Sequence, residues 1–296
     1  MIKDAKKPSG SFSFGVPEAQ KEFENRYRLL LHEYIKVRDA QDKVISTASQ
    51  KMRNVMEDKI IYLLARQVYE DFDEILLLCA NGYSTGAMKI LRGMFERTVT
   101  VCYLQKHLDK IELYHKYYYV RRRKEMMAIA PEFPNAIPET AKEIIEREYA
   151  AVKHFFQVPV CQVCKTATCK VCKKTRDNFS WIRKDIVQMA RETGNFGGVI
   201  YHGYYLPLQE SHPTAQAITH RIAKASNGRW RYEEGPKSEL DDVTLMAAHF
   251  LVIRAVEVLG LHFAMRTKGM MSKLWGEFIG IWRLKKSKPK GRIGNP

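Results

Sequence analysis

The 296-residue sequence lacks the motifs and segments that mark several common classes of protein. It contains neither a phosphate-binding P-loop nor the glycine-rich signature of a dinucleotide-binding domain, and it shows no internal repeat. Residues 1–17 lack the apolar segment of a secretory signal, and the longest apolar stretch, 245–265, is interrupted by His249, Arg254 and Glu257. These absences favour a cytoplasmic protein in which 245–265 forms a buried helix.

Cysteine is scarce, with six residues in the chain, four of which lie between positions 161 and 172. So few cysteines, clustered in this way, exclude a disulfide scaffold. Apolar residues make up 45% and charged residues 28% of the chain, which excludes wholesale disorder and a collagen-like chain. A chain of this length can bury one large core or two modest ones.

Acidic residues are few relative to basic ones, with 33 Asp and Glu against 49 Lys and Arg, so the formal net charge is +16. A net charge of this size concerns partners rather than fold. It favours a polyanion as partner, either nucleic acid, an anionic membrane surface or an acidic protein. The alternative is a basic protein without a polyanionic partner.

Apolar residues at steps of three and four predict a mainly α protein, a helical bundle with a small zinc-knuckle insertion and a short β-hairpin. The Asn227-Gly228 pair between alternating segments predicts the hairpin at 217–235. We expect a flexible leader at 1–17, a helical domain at 18–268 with the zinc insertion at 158–178, and a basic amphipathic tail at 269–296, whose last basic run is unstructured. The predicted helices are 18–51, 54–80, 84–107, 108–129, 139–156, 181–192, 199–210 and 242–266, the last capped by Asp241-Asp242.

The four clustered cysteines have the spacing Cys161-x2-Cys164-x4-Cys169-x2-Cys172. Each CxxC pair turns two thiolates toward one point, and four sulfur ligands satisfy tetrahedral zinc with no open position. We therefore expect a structural zinc ion on a compact knob, because the spacer is shorter than in common zinc ribbons. An iron–sulfur cluster and redox-active or free thiols are the alternatives.

Three polar residues form a candidate catalytic set. Arg92 and Glu96 are four positions apart and project from one helix face, where Arg92 can bind an anion or form an ordinary intrahelical ion pair. His212 precedes Pro213 and is therefore held at a helix end, where it can act as an acid or base or simply cap and pack.

The segments around these residues carry a family resemblance. Residues 204–213 are similar to a tyrosine-rich element of the bacterial family called domain of unknown function 5677, and the likeness covers about 55–265. The helix signature that resembles this family is made of Gly82, Tyr83, Ala87, Ile90, Leu91, Arg92, Phe95 and Glu96.

The resemblance implies a layout similar to HEPN-type helical bundles, many of which are ribonucleases or toxin and defence components. Their nuclease motif places Arg and His four to six residues apart on one helix, and this sequence has no clean copy of it near the candidate site. A ribonuclease of this kind would therefore bring Arg92 and His212 together from separate helices.

Aromatic and basic residues alternate in three segments, 117–124, 229–232 and 275–286. Aromatic rings could stack bases while the cations hold phosphates; the alternatives are aromatic residues in the core and, for 274–292, an amphipathic segment on an anionic membrane. The candidate nucleic-acid contacts are Arg121, Arg122, Arg123, Lys124, Arg229, Arg231, Lys285 and Lys286.

Together these patterns predict a zinc-containing helical protein that binds nucleic acid, with RNA favoured over single-stranded DNA, in a defence or toxin-like context. One alternative is a metal-independent ribonuclease that uses Arg92, Glu96 and His212. The other is a membrane-surface or protein-interaction factor that acts through its basic tail. A homo-oligomer is compatible with the composition.

Overall fold

The computed structural model describes residues 15–159, 175–211, 218–219, 222–224, 227–232 and 238–286, and the protein is mainly α. A 3₁₀ turn covers Leu108–Lys110, and a π-helical turn covers Tyr201–Tyr205. The helices are α1 Pro17–Arg26, α2 Arg28–Lys51, α3 Met56–Ala80, α4 Ser84–Lys106, α5 Ile111–Ile129, α6 Glu139–Phe156, α7 Ile186–Thr193, α8 Leu206–Ser211, α9 Asp241–His262 and α10 Lys268–Lys286.

The chain divides into two compact units. The first takes its described residues from Met1–Lys51, Leu64–Thr98 and Gly198–Pro296, and the second from Met52–Leu63 and Val99–Gly197.

Helix α9 is the central element of the first unit. It packs against α2, α10 and the π-helical turn, and its residues from Leu245 to Leu259 are mostly buried. It is the one helix in the described part of the chain that is long and apolar enough to cross a membrane, and 78% of the relevant window is buried inside the protein. Because α9 carries buried residues on all of its faces, it forms a core helix, as its interrupted apolar stretch predicts.

The second unit is built on the antiparallel neighbours α5 and α6. Tyr117 and Phe156 meet edge to face at 5.2 Å, and the Tyr117 hydroxyl donates to the Asn178 carbonyl at 3.0 Å. Helix α7 begins after Asp185, whose side chain and that of Gln188 form a reciprocal capping box.

Four short strands form two antiparallel pairs in the described residues. Strands β1 (Gln157–Pro159) and β2 (Thr175–Asp177) pair across the cysteine segment, and strands β3 (Ile222–Lys224) and β4 (Trp230–Tyr232) form the second pair. The predicted hairpin is present over a shorter range than 217–235, because its strands cover 222–224 and 230–232 and residues 218–219 are helical. Gly228 lies between the strands in the left-handed region at φ 79°. The β1–β2 pair was not expected, because three-residue strands leave no periodic signal.

Several predicted helix boundaries are wrong. The helix expected at 18–51 is broken at Tyr27, whose buried hydroxyl donates to Asp242 at 2.7 Å, and the helix expected from Trp181 begins only at Ile186. The residue that caps α9 is Leu240, without a side-chain hydrogen bond, because Asp242 instead accepts from Arg26 and Tyr27. The errors at Tyr27 and at the start of α9 share a cause, since long-range partners of Asp242 override local signals, whereas α7 begins late because Asp185 caps it.

The basic end of the chain is partly helical. Helix α10 continues to Lys286, so the prediction of an unstructured basic run is wrong for residues 283–286. The apolar side chains Leu274, Ile281 and Trp282 are buried. Burial of this stripe stabilises the helix although Gly276 and Gly280 lie in its interior.

Candidate functional site

The Arg92–Glu96 pair forms as its spacing predicts. The Arg92 Nε lies 3.2 Å from a Glu96 carboxylate oxygen, with the two side chains 29% and 43% exposed. The Arg92 guanidinium also lies 5.8 Å from the centre of the Tyr204 ring, within cation–π range. Arg92 is therefore held from two directions at a partly solvated surface, where an anion can reach it.

The π-helical turn carries the ring that Arg92 meets. Tyr204 lies 5.7 Å from Phe95 of α4, and Gly203 packs directly on the Phe95 ring. A Cβ on Gly203 would come within 2.8 Å of that ring, so only glycine permits this approach. π-Helical turns recur at functional sites because they displace side chains from the regular helical register.

His212 lies outside the described residues. The described segment ends at Ser211, the last residue of α8, whose hydroxyl donates to the Pro207 carbonyl at 2.7 Å. The turn and α8 thus run from Tyr204 to the residue before His212 without interruption. The structure brings Arg92 and Glu96 together, and the position of His212 relative to them stays a prediction.

His202 is a polar residue that the sequence does not single out. It lies in the π-helical turn, and its Nδ1 atom is buried without a hydrogen-bond partner in the described structure. A buried imidazole nitrogen without a partner is uncommon, because each such group costs free energy. No local pattern in the sequence distinguishes His202, since its setting follows from the π-helical register.

A second polar pair lies one residue beyond Glu96 on α4. Arg97 Nη1 bonds to an Asp71 oxygen at 2.6 Å. Burial raises the pKa of Asp71 to about 6, although Arg97 opposes the shift. The Arg97–Asp71 pair therefore links α4 to α3, and Arg92 is the arginine of α4 that lies over the Tyr204 ring.

The four basic residues at 121–124 divide into two kinds. Arg123 bonds to Glu146 at 3.0 Å, and Lys124 donates to the Asn178 carbonyl at 2.9 Å, so both tie α5 to its surroundings. Arg121 and Arg122 are exposed on α5, with Arg122 next to the exposed ring of Tyr118. Arg121 lies 4.0 Å from Glu125 on the same helix, a long ion pair that leaves its exposed guanidinium within reach of a phosphate, as that of Arg122 is.

The β3–β4 hairpin presents aromatic residues to solvent. Trp230 is 73% and Tyr232 is 59% exposed, and Arg229 and Arg231 are also exposed. Because side chains alternate along a strand, Trp230 and Tyr232 share one face of β4 and Arg231 lies on the other. The hairpin therefore combines two ring surfaces with nearby cations.

The C-terminal basic residues Lys285 and Lys286 lie at the end of α10, and their side chains fall outside the described part. The helix itself is attached to the first unit. Lys36 of α2 donates to Glu33 at 2.6 Å and to Glu277 of α10 at 2.9 Å. Burial and the neighbouring Glu277 raise the pKa of Glu33; burial alone would raise that of Glu277, but hydrogen bonds with Glu33 and Lys36 lower it.

The cysteine ligands predicted at 161, 164, 169 and 172 also lie outside the described residues. Their flanks are well defined, because Gln157 pairs with Asp177 and Pro159 with Thr175. The part of the chain that the structure describes holds no other group of three or more potential metal ligands.

One comparison with known proteins gives a match. A family model described as a family of unknown function, DUF5677, matches residues 58–229, which include the Arg92–Glu96 pair, the cysteine segment and His212. No curated protein and no solved structure matches the chain.

Proposed function

The chain belongs to the DUF5677 family of unknown function, and from this premise we propose that it binds nucleic acid, with RNA favoured. The observation that carries the proposal is the exposed aromatic face of β4, where Trp230 is 73% and Tyr232 is 59% exposed. Two large rings exposed on one strand have no structural role in the described core, and a ligand with flat apolar faces would cover them.

The electrostatics of the hairpin fit the same ligand. Lys224, which is paired with Trp230 on the opposite strand, is the cation on the face of the rings, and the exposed Arg229 and Arg231 flank Trp230 in the chain and lie on the other face. Cations beside stacked rings hold the phosphates of a single strand while its bases lie on the aromatic face. RNA is favoured because proteins that recognise RNA by sequence mostly bind its unpaired regions, where splayed bases stack on aromatic side chains.

The test measures binding of the full-length protein to labelled single-stranded RNA and DNA of one sequence by fluorescence anisotropy. Stacking contributes about 1–3 kcal/mol per base, so Trp230→Ala and Tyr232→Ala should each raise Kd roughly 5- to 150-fold. Phe133→Ala, which removes a ring of similar exposure elsewhere, is the control and should leave Kd unchanged. Equal affinity of wild type and both hairpin variants would disprove the assignment.

We also propose that Cys161, Cys164, Cys169 and Cys172 hold a structural zinc ion. The donor set fits, because four thiolates complete a tetrahedral site. The β1–β2 pair supports the proposal, since it holds the two ends of the cysteine segment side by side. Zinc bound there would cross-link the segment. Because all four coordination positions would be filled by cysteine, the ion would have a structural role.

The metal content of the purified protein tests this proposal. We expect one zinc per chain by mass spectrometry of the metal, and its loss in Cys164→Ser and Cys169→Ser. Cys102→Ser, which alters a buried cysteine of α4, is the control and should keep the metal. Iron in place of zinc, or four cysteines paired as disulfides, would refute the proposal.

A second candidate function is cleavage of RNA without a metal ion. The observation that favours it is the position of the Arg92–Glu96 pair beside a π-helical turn that leads through α8 to His212. In this reaction the 2′-oxygen attacks the adjacent phosphorus, loses its proton to a base, and the 5′-oxygen leaves with a proton. Arg92 would hold the phosphate, Glu96 would orient Arg92, and His212 would transfer a proton.

The test is cleavage of labelled RNA in the presence of EDTA. We expect His212→Ala and Arg92→Ala each to reduce the rate at least a hundredfold, which is the usual contribution of a positioned acid or base. Arg66→Ala is a matched control, because Arg66 and Glu70 form a pair with the same spacing on α3, at 3.6 Å. Cleavage that survives in both site variants would rule out this site.

Membrane binding through the tail has less support. The apolar stripe of α10 that would enter a bilayer is buried, and Lys36 holds Glu277 of this helix against α2. An amphipathic membrane helix needs its apolar face free. Binding of the protein to anionic liposomes, lost on deletion of 287–296, would restore this alternative.

A further inference from the structure

A pocket of about 300 Å³ lies in the first unit, between α2 and the turn that joins α9 to α10. Its charged lining residues are Lys43 and Lys51 from α2 and Arg266 from the turn. Thr47 and Thr267 also line the pocket, and the Thr47 hydroxyl donates to the Lys43 carbonyl at 2.8 Å. The volume falls within the range of small-molecule sites, about 300–1,000 Å³.

The charge of this pocket is uncompensated. No acidic residue lines it, and within the described part of the chain neither Lys43 nor Arg266 forms an ion pair. Lys51 has a structural task, because its Nζ donates to the carbonyls of Phe263 at 3.1 Å and Ala264 at 3.3 Å. Three cations around one cavity repel one another, and a bound anion would remove this repulsion.

The turn adds the amino end of a helix to the same cavity. The Met271 amide donates to the Thr267 carbonyl at 2.8 Å, which makes Thr267 the N-cap residue of α10. The next three amides therefore have no acceptor within the helix and carry its positive end. Thr267 and Met270, which belong to this first helical turn, both line the pocket.

The sequence builds this arrangement through two residues of the turn. Ala264 has φ 48°, in the left-handed region, and the Met265 amide returns to the Gly260 carbonyl at 2.8 Å. A Cβ on Gly260 would lie 2.7 Å from the Thr267 hydroxyl, so glycine leaves the space that Thr267 occupies. The turn thus holds Thr267 and Arg266 at fixed places on the rim.

We propose that this pocket binds the phosphate monoester of a small molecule of nucleotide size. The guanidinium of Arg266 matches two phosphate oxygens, the Lys43 ammonium adds a point charge, and the helix amides and the Thr267 hydroxyl donate to the remaining oxygens. The flexible thioether of Met270 offers an apolar wall to the organic part. The proposal does not depend on RNA binding by the hairpin.

Titration calorimetry of the full chain tests this proposal with adenosine 5′-monophosphate, adenosine and inorganic phosphate. We expect the nucleotide to bind, adenosine not to bind, and inorganic phosphate to compete with the nucleotide. Arg266→Gln and Lys43→Gln should each weaken nucleotide binding at least tenfold without a change in the melting temperature. Arg28→Gln, an exposed cation of α2 outside the pocket, should bind as wild type does.

Two results would overturn the proposal. One is equal binding of the nucleotide and adenosine, or of wild type and Arg266→Gln. The other is binding of a short 5′-phosphorylated RNA when the free nucleotide does not bind, which would assign the pocket to the end of a nucleic acid. Hairpin variants with Trp230→Ala should retain nucleotide binding, so this result is independent of the RNA test.

Discussion

His249 is a histidine that burial keeps neutral in the first unit. Its Nδ1 accepts a hydrogen bond from the indole of Trp282 at 3.3 Å, and Phe278 meets its ring edge to face at 5.3 Å. Burial lowers the pKa of His249 to about 4, with a small opposing effect from Glu277. The interaction with Trp282 therefore needs the neutral imidazole, and it joins α9 to α10.

The depressed pKa of His249 predicts loss of stability in acid. The unfolded chain binds a proton near pH 6.5 and the folded one only near pH 4, so the contribution is complete above 6.5 and is lost as the pH falls toward 4. Between pH 7.5 and pH 5 this amounts to about 2 kcal/mol. Urea unfolding of wild type and His249→Gln at both pH values measures it.

The difference between the two proteins isolates His249 from other titrating groups. The free energy of unfolding of His249→Gln should lie below that of wild type at pH 7.5, and the gap should shrink at pH 5. Asp71 acts in the opposite direction in wild type and variant alike, because its raised pKa of about 6 favours the folded state at low pH. Parallel pH profiles would contradict the role of His249.

The element that shapes the candidate site is the π-helical turn, and Gly203 is the residue that permits it. Alanine in a helix interior normally stabilises relative to glycine by about 0.5–1 kcal/mol. At Gly203 the added Cβ meets the Phe95 ring at 2.8 Å, a fully buried ring that cannot swing away. Overpacking of this kind costs about 1–3 kcal/mol, so the sign of the effect reverses.

We therefore expect Gly203→Ala to lower the free energy of unfolding, by about 1–2 kcal/mol, in urea titrations. Gly276→Ala in α10 is the matched control, because a Cβ there meets no atom within 4 Å, and it should stabilise the protein. Combining Gly203→Ala with Phe95→Leu should recover part of the loss. A stabilised Gly203→Ala variant would show that the turn does not pack on Phe95 as described.

The helices were the most predictable part of this structure. Apolar periodicity located α3, α4, α6 and α9 closely, because each buries a continuous stripe that the sequence displays. The break at Tyr27 could not be predicted, since its cause is a hydrogen bond to Asp242, more than two hundred residues away. The π-helical turn was likewise missed, because a single turn of five residues is too short to show a period different from that of an α-helix.

The candidate site was predictable to a similar degree. The four-residue spacing was enough to bring Arg92 to Glu96, since a helix fixes that geometry locally. The contact of Arg92 with Tyr204 depends on packing of distant segments and left no local signal. The pocket between α2 and the α9–α10 turn was missed for the same reason, because its cations come from these two distant segments.

On the scale of the whole molecule, the charge of +16 is distributed unevenly. Six Lys and Arg residues lie between 283 and 292. Many other cations, such as Arg97 and Arg123, bond to carboxylates and do not contribute to a free basic surface. The C-terminal run is therefore the largest concentration of charge that a polyanion would meet.

This distribution predicts how RNA binding depends on salt. Each phosphate contact on a single strand contributes about 0.7 to the slope of log affinity against log salt. Replacing Lys285 and Lys286 with Gln should reduce the slope by about 1.4 and weaken binding uniformly across RNA sequences. A salt series by anisotropy measures the slope, with Lys21→Gln on α1 as control; an unchanged slope would exclude these lysines from the interface.

The antiparallel β1–β2 pair bears on how the cysteine segment could be inserted or deleted during evolution. Because Gln157 and Asp177 are paired neighbours, the stretch of chain between them begins and ends at almost one point. A tight turn can replace the residues between the two strands while the Asn178 amide keeps its hydrogen bond to the Phe156 carbonyl at the end of α6. We therefore expect that relatives can gain or lose the cysteine segment without a compensating change in α6.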